Sequence, residues 1–138
     1  MSPTSPAVVF VYGTLKRGEC REKCWPIPPR EVVPATILGL LYDLGPYPGL
    51  VAGRHRVAGE AWHFAEADMP VTLAALDDIE GAYGRDGDEY HRDVVLCSTA
   101  TGDLYAWVYF YQRVHELHSA KPIWPNAEGF CCWNGRRE

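Results

Sequence analysis

Only one stretch of this chain has the period of a helix, while at least five others read as strands. Asp68 to Gly81 carries leucines at helical spacing, with Asp68 placed as N-cap, Pro70 in the first turn and Gly81 as a left-handed stop. Ala7 to Tyr12 is an unbroken apolar run rich in β-branched residues and reads as a buried strand that ends at Gly13. Val32 to Leu44, Val57 to Phe64, Tyr90 to Ser98 and Leu104 to Tyr111 read as further strands. Gly39, inside the second, marks a bulge or a close backbone contact, and Thr101-Gly102-Asp103 joins the last two as a hairpin. His115 to Ala120 is at most a helical turn before Pro122 and Pro125. One helix against five strands predicts an α+β fold whose mixed or mainly antiparallel sheet curls toward a barrel. The 138 residues fit a single domain, 1–138.

Glu80 is the residue that breaks the helix pattern. With Leu73 at zero, Leu76 falls at about 300° and Glu80 at about 340°, so an acid shares the leucine face. Asp78 falls on the opposite side at about 140°, and Asp77 at the edge of the apolar face at about 40°. Burial, the negative end of the helix and the neighbouring Asp77 and Asp78 would each raise the pKa of this carboxyl. A carboxyl poised near neutrality can accept a proton and then return it. The plainer reading is a glutamate reaching solvent at a frayed helix end, with Asp77 a rim residue bonded to nearby backbone.

Tyr12-Gly13-Thr14-Leu15-Lys16-Arg17-Gly18 follows the first strand directly. Glycine lets backbone approach a ligand closely, and consecutive N–H groups in such a turn can cradle a carboxylate or a tetrahedral oxyanion. The spacing matches neither a P-loop nor a dinucleotide fingerprint. The polar, proline-rich stretch from Thr14 to Pro29 reads as a long loop, and loops of that length in small domains tend to be functional.

Charge and composition exclude other classes. The net charge of -5 argues against a general nucleic-acid binder. Lys16, Arg17, Arg21, Lys23 and Arg30 cluster near the N-terminus, either as a solvated loop or to attract a small anionic substrate. Five cysteines without a C-x-x-C argue against a zinc framework and fit a reducing compartment. A Cys20–Cys24 disulfide is allowed but not required, and Cys131-Cys132 reads as packing. Nothing in the sequence places a base beside Cys97 or Cys20, so cysteine catalysis through either is not favoured. His115-Glu116-Leu117-His118 lacks the H-E-x-x-H spacing, which leaves no metal motif. The run from Ala7 to Val11 is too short for a signal or a membrane span, so a cytoplasmic protein without membrane contact is expected.

In order along the chain stand a strand with YGTLKRG, then Pro46-Tyr47-Pro48-Gly49-Leu50, Leu76-Asp77-Asp78-Ile79-Glu80-Gly81, Tyr90-His91-Arg92 and Ala106-Trp107-Val108-Tyr109. This ordered set resembles the gamma-glutamyl cyclotransferase-like family, especially its gamma-glutamylamine cyclotransferase branch, over roughly Val8 to Tyr111. The resemblance implies a small mixed, mainly antiparallel β-barrel flanked by one main helix and short helical turns. It implies that a substrate α-amine attacks its own γ-amide, giving 5-oxoproline and a free amine or amino acid, with no metal or cofactor. Glu80 would be the general acid/base. Tyr12, Gly13, Thr14 and Leu15 would hold the small anionic gamma-glutamyl substrate. Tyr47, Tyr90, Tyr109 and Arg92 are further substrate-binding candidates, with packing or a structural ion pair as the alternative for each. The segment Glu19 to Pro29 does not align, and the tryptophan that the glutathione-specific branch carries after its glycine loop is missing at Lys16-Arg17-Gly18. A monomer or weak homodimer is expected. The competing reading is a non-catalytic binder of gamma-glutamyl compounds or amino acids on the same fold.

Overall fold

The computed structural model describes residues 5–135. Its strands are β1 (Val8–Val11), β2 (Glu31–Asp43), β3 (Pro48–His63), β4 (Tyr90–Thr99), β5 (Gly102–Tyr111), β6 (Lys121–Pro122) and β7 (Phe130–Cys131), with one α-helix, α1 (Met69–Glu80). Three short 3₁₀ turns lie at Glu22–Cys24, Glu66–Asp68 and Val114–Ser119. The sheet order is β6-β2-β4-β5-β1-β3-β7, and β2 also pairs with β3. That second pairing closes β2, β4, β5, β1 and β3 into a five-stranded barrel. Most pairings are antiparallel, while β1 runs parallel to β5 at Val9↔Trp107 and β7 runs parallel to β3. The expected α+β barrel with one main helix is therefore what the chain forms.

β1 shows why its sequence has no polar alternation. Val9 and Val11 face the helix side, with Trp62, Met69 and Leu76, while Phe10 points into the barrel with Leu41, Leu50, Val57 and Val108. A strand covered on both faces has to be apolar throughout. Full burial of side chains such as Phe10 and Leu76 contributes about 1.5–3 kcal/mol each to the fold.

β3 is twice as long as its sequence suggests. The sequence predicts a strand only from Val57, yet β3 starts at Pro48 and pairs with β2 from Asp43↔Pro48 to Glu31↔His63. Ala52, Arg54 and Arg56 lie on its solvent face, so the apolar count is low there although the chain is extended. The register breaks between Gly39 and Leu40, where Gly39 faces His55 but Leu40 faces Val51. The predicted bulge is thus real, and a Cβ at Gly39 would lie 2.6 Å from Leu50 Cδ1. The short strands β6 and β7 carry only two residues each and leave no periodic signal in the sequence.

The helix stops as predicted, with Gly81 at φ 66°, but it does not start as predicted. Asp68 has φ -86° and ψ -12° and makes no side-chain cap. The 3₁₀ turn Glu66–Asp68 runs straight into α1, and the Met69 N–H bonds Glu66 O instead.

Candidate active site

Glu80 is the last residue of α1, held there by the helix end itself. The Gly81 and Ala82 N–H groups both donate to the Asp77 carbonyl, which locks the final turn. Leu76, one turn back, is fully buried against the barrel wall, so the same face carries Glu80 inward. Asp78 is exposed on the other side, as the wheel requires.

Glu80 lines a small pocket that is partly open to solvent. The facing wall is Tyr12, Gly13, Thr14 and Leu15, and the remaining wall includes Tyr47, Pro48, Tyr90 and Tyr109. The structure thus brings Glu80, the whole glycine loop and three predicted tyrosines into one cavity. Arg92 is the exception. It does not line this pocket, because its Nε lies 2.8 Å from Asp77 Oδ1 and its guanidinium stacks 4.6 Å from the Trp107 ring centroid. Of the two roles open to Arg92 in the sequence, the structure gives it the ion pair with a structural acid. Asp77 in turn bonds Arg92 and the Tyr109 hydroxyl through its side chain, rather than nearby backbone.

The loop is fixed from several directions. The Lys16 N–H donates to Gly13 O (3.1 Å) and the Arg21 N–H to Thr14 O (2.8 Å). Trp25 stacks on Trp62 at 4.3 Å, and its indole N–H donates to Leu15 O (3.0 Å). Lys16 Nζ donates to Trp133 O (2.6 Å). Among the described residues, the N–H groups of Gly13, Thr14 and Leu15 donate to no protein acceptor, although all three residues are buried. Buried N–H groups without partners are costly unless a ligand or water meets them. Gly13 does not have positive φ, so the loop is no left-handed nest. The glycine is required by contact: a Cβ there would lie 2.8 Å from the Pro48 ring.

Electrostatics single out Glu80. Burial pushes its carboxyl up to about 7; Arg21 pulls it back down and Glu89 pushes it further up. The like charge is therefore Glu89, on the segment before β4, and not Asp77 or Asp78 as the sequence suggested. No hydrogen bond among the described residues occupies the Glu80 carboxylate. The phenols are all committed as donors: Tyr12 to Tyr109 O (2.6 Å), Tyr90 to Pro48 O (2.6 Å), Tyr109 to Asp77 (2.7 Å) and Tyr47 to Glu89. Burial raises all four, Tyr47 to about 12, so none of them is a base near neutral pH. The Glu80 carboxyl, raised to about 7, can exchange a proton there.

Arg21 and Glu89 line the pocket too. In sequence Arg21 is one of five basic residues clustered near the N-terminus, and Glu89 belongs to an acidic turn. The one local signal for Glu89 is its place directly before the buried Tyr90. His115 and His118 sit on the exposed turn Val114–Ser119. Among the described residues no group of three metal-binding side chains is found, and no helix is long and apolar enough to cross a membrane. The five cysteines are free, including Cys20 and Cys24.

Comparison with known proteins agrees with this fold. The family described as "Gamma-glutamyl cyclotransferase, AIG2-like" matches residues 9–128. A Vibrio cholerae protein with a provisional gamma-glutamylcyclotransferase name is 40% identical over 120 residues, covering 81% of this chain and 88% of its own length. The gamma-L-glutamyl-butirosin B gamma-glutamyl cyclotransferase of Niallia circulans is 32% identical over 119 residues, covering 84% of this chain and 74% of its own. The crystal structure of a mouse AIG2-like protein has the same fold, with a TM-score of 0.62 at 22% identity over 97% of this chain and 99% of its own. The chain belongs to the gamma-glutamyl cyclotransferase, AIG2-like family.

Proposed function

We propose that the protein cyclises gamma-glutamyl amides, releasing 5-oxoproline and a free amine or amino acid without metal or cofactor. One observation carries this reading: a carboxyl free of hydrogen bonds, with its pKa near 7, shares a pocket with three unpartnered N–H groups. The name of the Niallia circulans relative supports a gamma-glutamyl amide as the class of substrate. A cytoplasmic setting fits the free cysteines.

The substrate α-carboxylate or the developing oxyanion takes the Gly13 to Leu15 N–H groups. Glu80 removes a proton from the α-ammonium, and the freed amine attacks the γ-amide carbonyl. As the tetrahedral intermediate collapses, Glu80 returns a proton to the leaving nitrogen and the amide C–N bond breaks. Of the ammonium's three protons, one stays on the ring nitrogen and two leave with the amine, so charge and atoms balance. The attack is intramolecular, which makes orientation more important than a strong nucleophile.

The test is incubation with a panel of gamma-glutamylamines and gamma-glutamyl dipeptides, scored for 5-oxoproline. Product from any amide supports the reading. No product across the panel, with thermal stabilisation by the same compounds, would favour a binding protein instead.

The proton carrier also sets a pH profile. In free enzyme, kcat/KM should rise through a midpoint near 7 as Glu80 ionises. Glu89→Gln removes a like charge and should move that midpoint down. Arg21→Gln removes the opposing charge and should move it up. Midpoints unmoved in both variants would show that another group governs the limb.

A further inference from the structure

Outside the pocket, behind Glu80, the structure holds a charged knot that the proposed reaction does not use. Asp77 Oδ1 accepts from Arg92 Nε (2.8 Å) and from the Tyr109 hydroxyl (2.7 Å). The Asp77 backbone carbonyl accepts from Gly81 and Ala82, closing the turn on which Glu80 stands. Tyr109 lines the pocket, and its own carbonyl accepts the Tyr12 hydroxyl at 2.6 Å. One carboxylate therefore ties α1 to β4 and β5, and through Tyr109 to the glycine loop.

We propose that Asp77 and Arg92 are positioning residues that hold Glu80 and Tyr109 in their working geometry while adding no net charge one helical turn from Glu80. The proposal rests on the cyclotransferase reading above. Helix packing alone would be served as well by two apolar side chains. Asp77, three residues before Glu80, is not among the charges that shift the Glu80 carboxyl, and its own charge is matched by Arg92 at 2.8 Å. Both charges are partly shielded from solvent, with side-chain exposures of 30% for Arg92 and 20% for Asp77, so neither is fully screened by water. Glu80 also faces Arg21 from the loop and Glu89 from the segment before β4, together with the phenols of Tyr12, Tyr90 and Tyr109. Those groups stay in place in the variants below, so a change can be assigned to the pair.

The pair makes a signed prediction. Arg92→Gln leaves Asp77 uncompensated and should raise the Glu80 titration midpoint by roughly 0.5 pH unit. Asp77→Asn leaves Arg92 uncompensated and should lower it by about as much. The double variant should return to the wild-type midpoint. Each single variant should lose about tenfold in kcat with KM nearly unchanged, because the reacting groups lose alignment while the binding N–H groups remain. Tyr109→Phe keeps the ion pair but cuts its link to the pocket, and should show a similar loss of kcat.

The measurement is a carbon-13 NMR titration of the Glu80 carboxyl in the full chain, alongside kcat and KM per folded molecule. Opposite shifts in the two single variants, with recovery in the double, support the clamp. Shifts of the same sign, no shifts, or full kcat in Tyr109→Phe overturn it. Should Arg92→Gln not fold, Asp77→Asn, which keeps size and an acceptor, still gives a signed shift that decides. The titration needs no turnover. A wild type inactive on every amide would sink the cyclotransferase reading while the shifts still tested the clamp.

Discussion

Glu80→Gln will leave the fold and ligand binding in place and lower 5-oxoproline release by roughly 10²–10⁴-fold. Glutamine keeps the shape of the side chain at the end of α1 but cannot carry a proton both ways. None of the four phenols can take over, since burial raises them and they already donate hydrogen bonds. The same variant has a stability signature with a definite sign. A carboxyl raised from 4.5 to about 7 in the folded state binds its proton more tightly folded than unfolded. Stability therefore falls as pH rises from about 4.5 to about 7, by at most roughly 3 kcal/mol, and stays low above that. Glutamine does not ionise, so Glu80→Gln should gain on wild type over that window and lose its advantage below about pH 4.5. Thermal melts at pH 4, 6 and 8 read this directly. Equal melting shifts at all three, or normal turnover by the variant, would remove Glu80 from the proposed role.

Gly13→Ala should be the second severe change. The added methyl would meet the Pro48 ring at 2.8 Å, and that ring opens β3, whose residues pair continuously with β2 there. The ring cannot rotate away as a flexible side chain would, so the loop has to retreat. We expect a stability loss of about 1–3 kcal/mol and a fall in kcat/KM of about 100-fold, since the N–H groups of Gly13 to Leu15 lose their aim. Calorimetry with kinetics separates the two effects. A variant with wild-type kcat/KM would mean that the loop's exact place is irrelevant to turnover.

The parts of this design that the sequence displays are those built from local pattern. β1 is legible as an unbroken apolar run rich in β-branched residues, and the β4–β5 hairpin because its second strand is strongly aromatic and Gly102 marks the turn. The helix face of Glu80 is legible because Leu73 and Leu76 define it. What is hidden depends on where distant segments meet. β3 looks short because half of it turns polar and charged side chains to solvent and is kept extended by its pairing with β2. The Asp68 cap is lost because the preceding residues coil into a 3₁₀ turn, a choice made by the chain's path and not by the cap residue. Arg92 has the same type and spacing whether it meets a substrate or Asp77, and only the placement of α1 against β4 decides. Arg21 reaches the pocket because its N–H folds back on Thr14, which no periodicity encodes.

The parallel contact between β1 and β5 also determines when the pocket can exist. Tyr12 and Tyr109 are bonded at a sequence separation of 97, so the loop and this part of the pocket wall come from distant parts of the folded chain. Contacts between such remote segments carry the largest loop-closure entropy and tend to form late. A growing chain has its helix and Glu80 well before it has Tyr109, and until β5 docks beside β1 there is an acid but no cavity around it. Ligand binding should therefore reappear in refolding only with the last, barrel-closing event, so that incompletely folded molecules are silent rather than partly active.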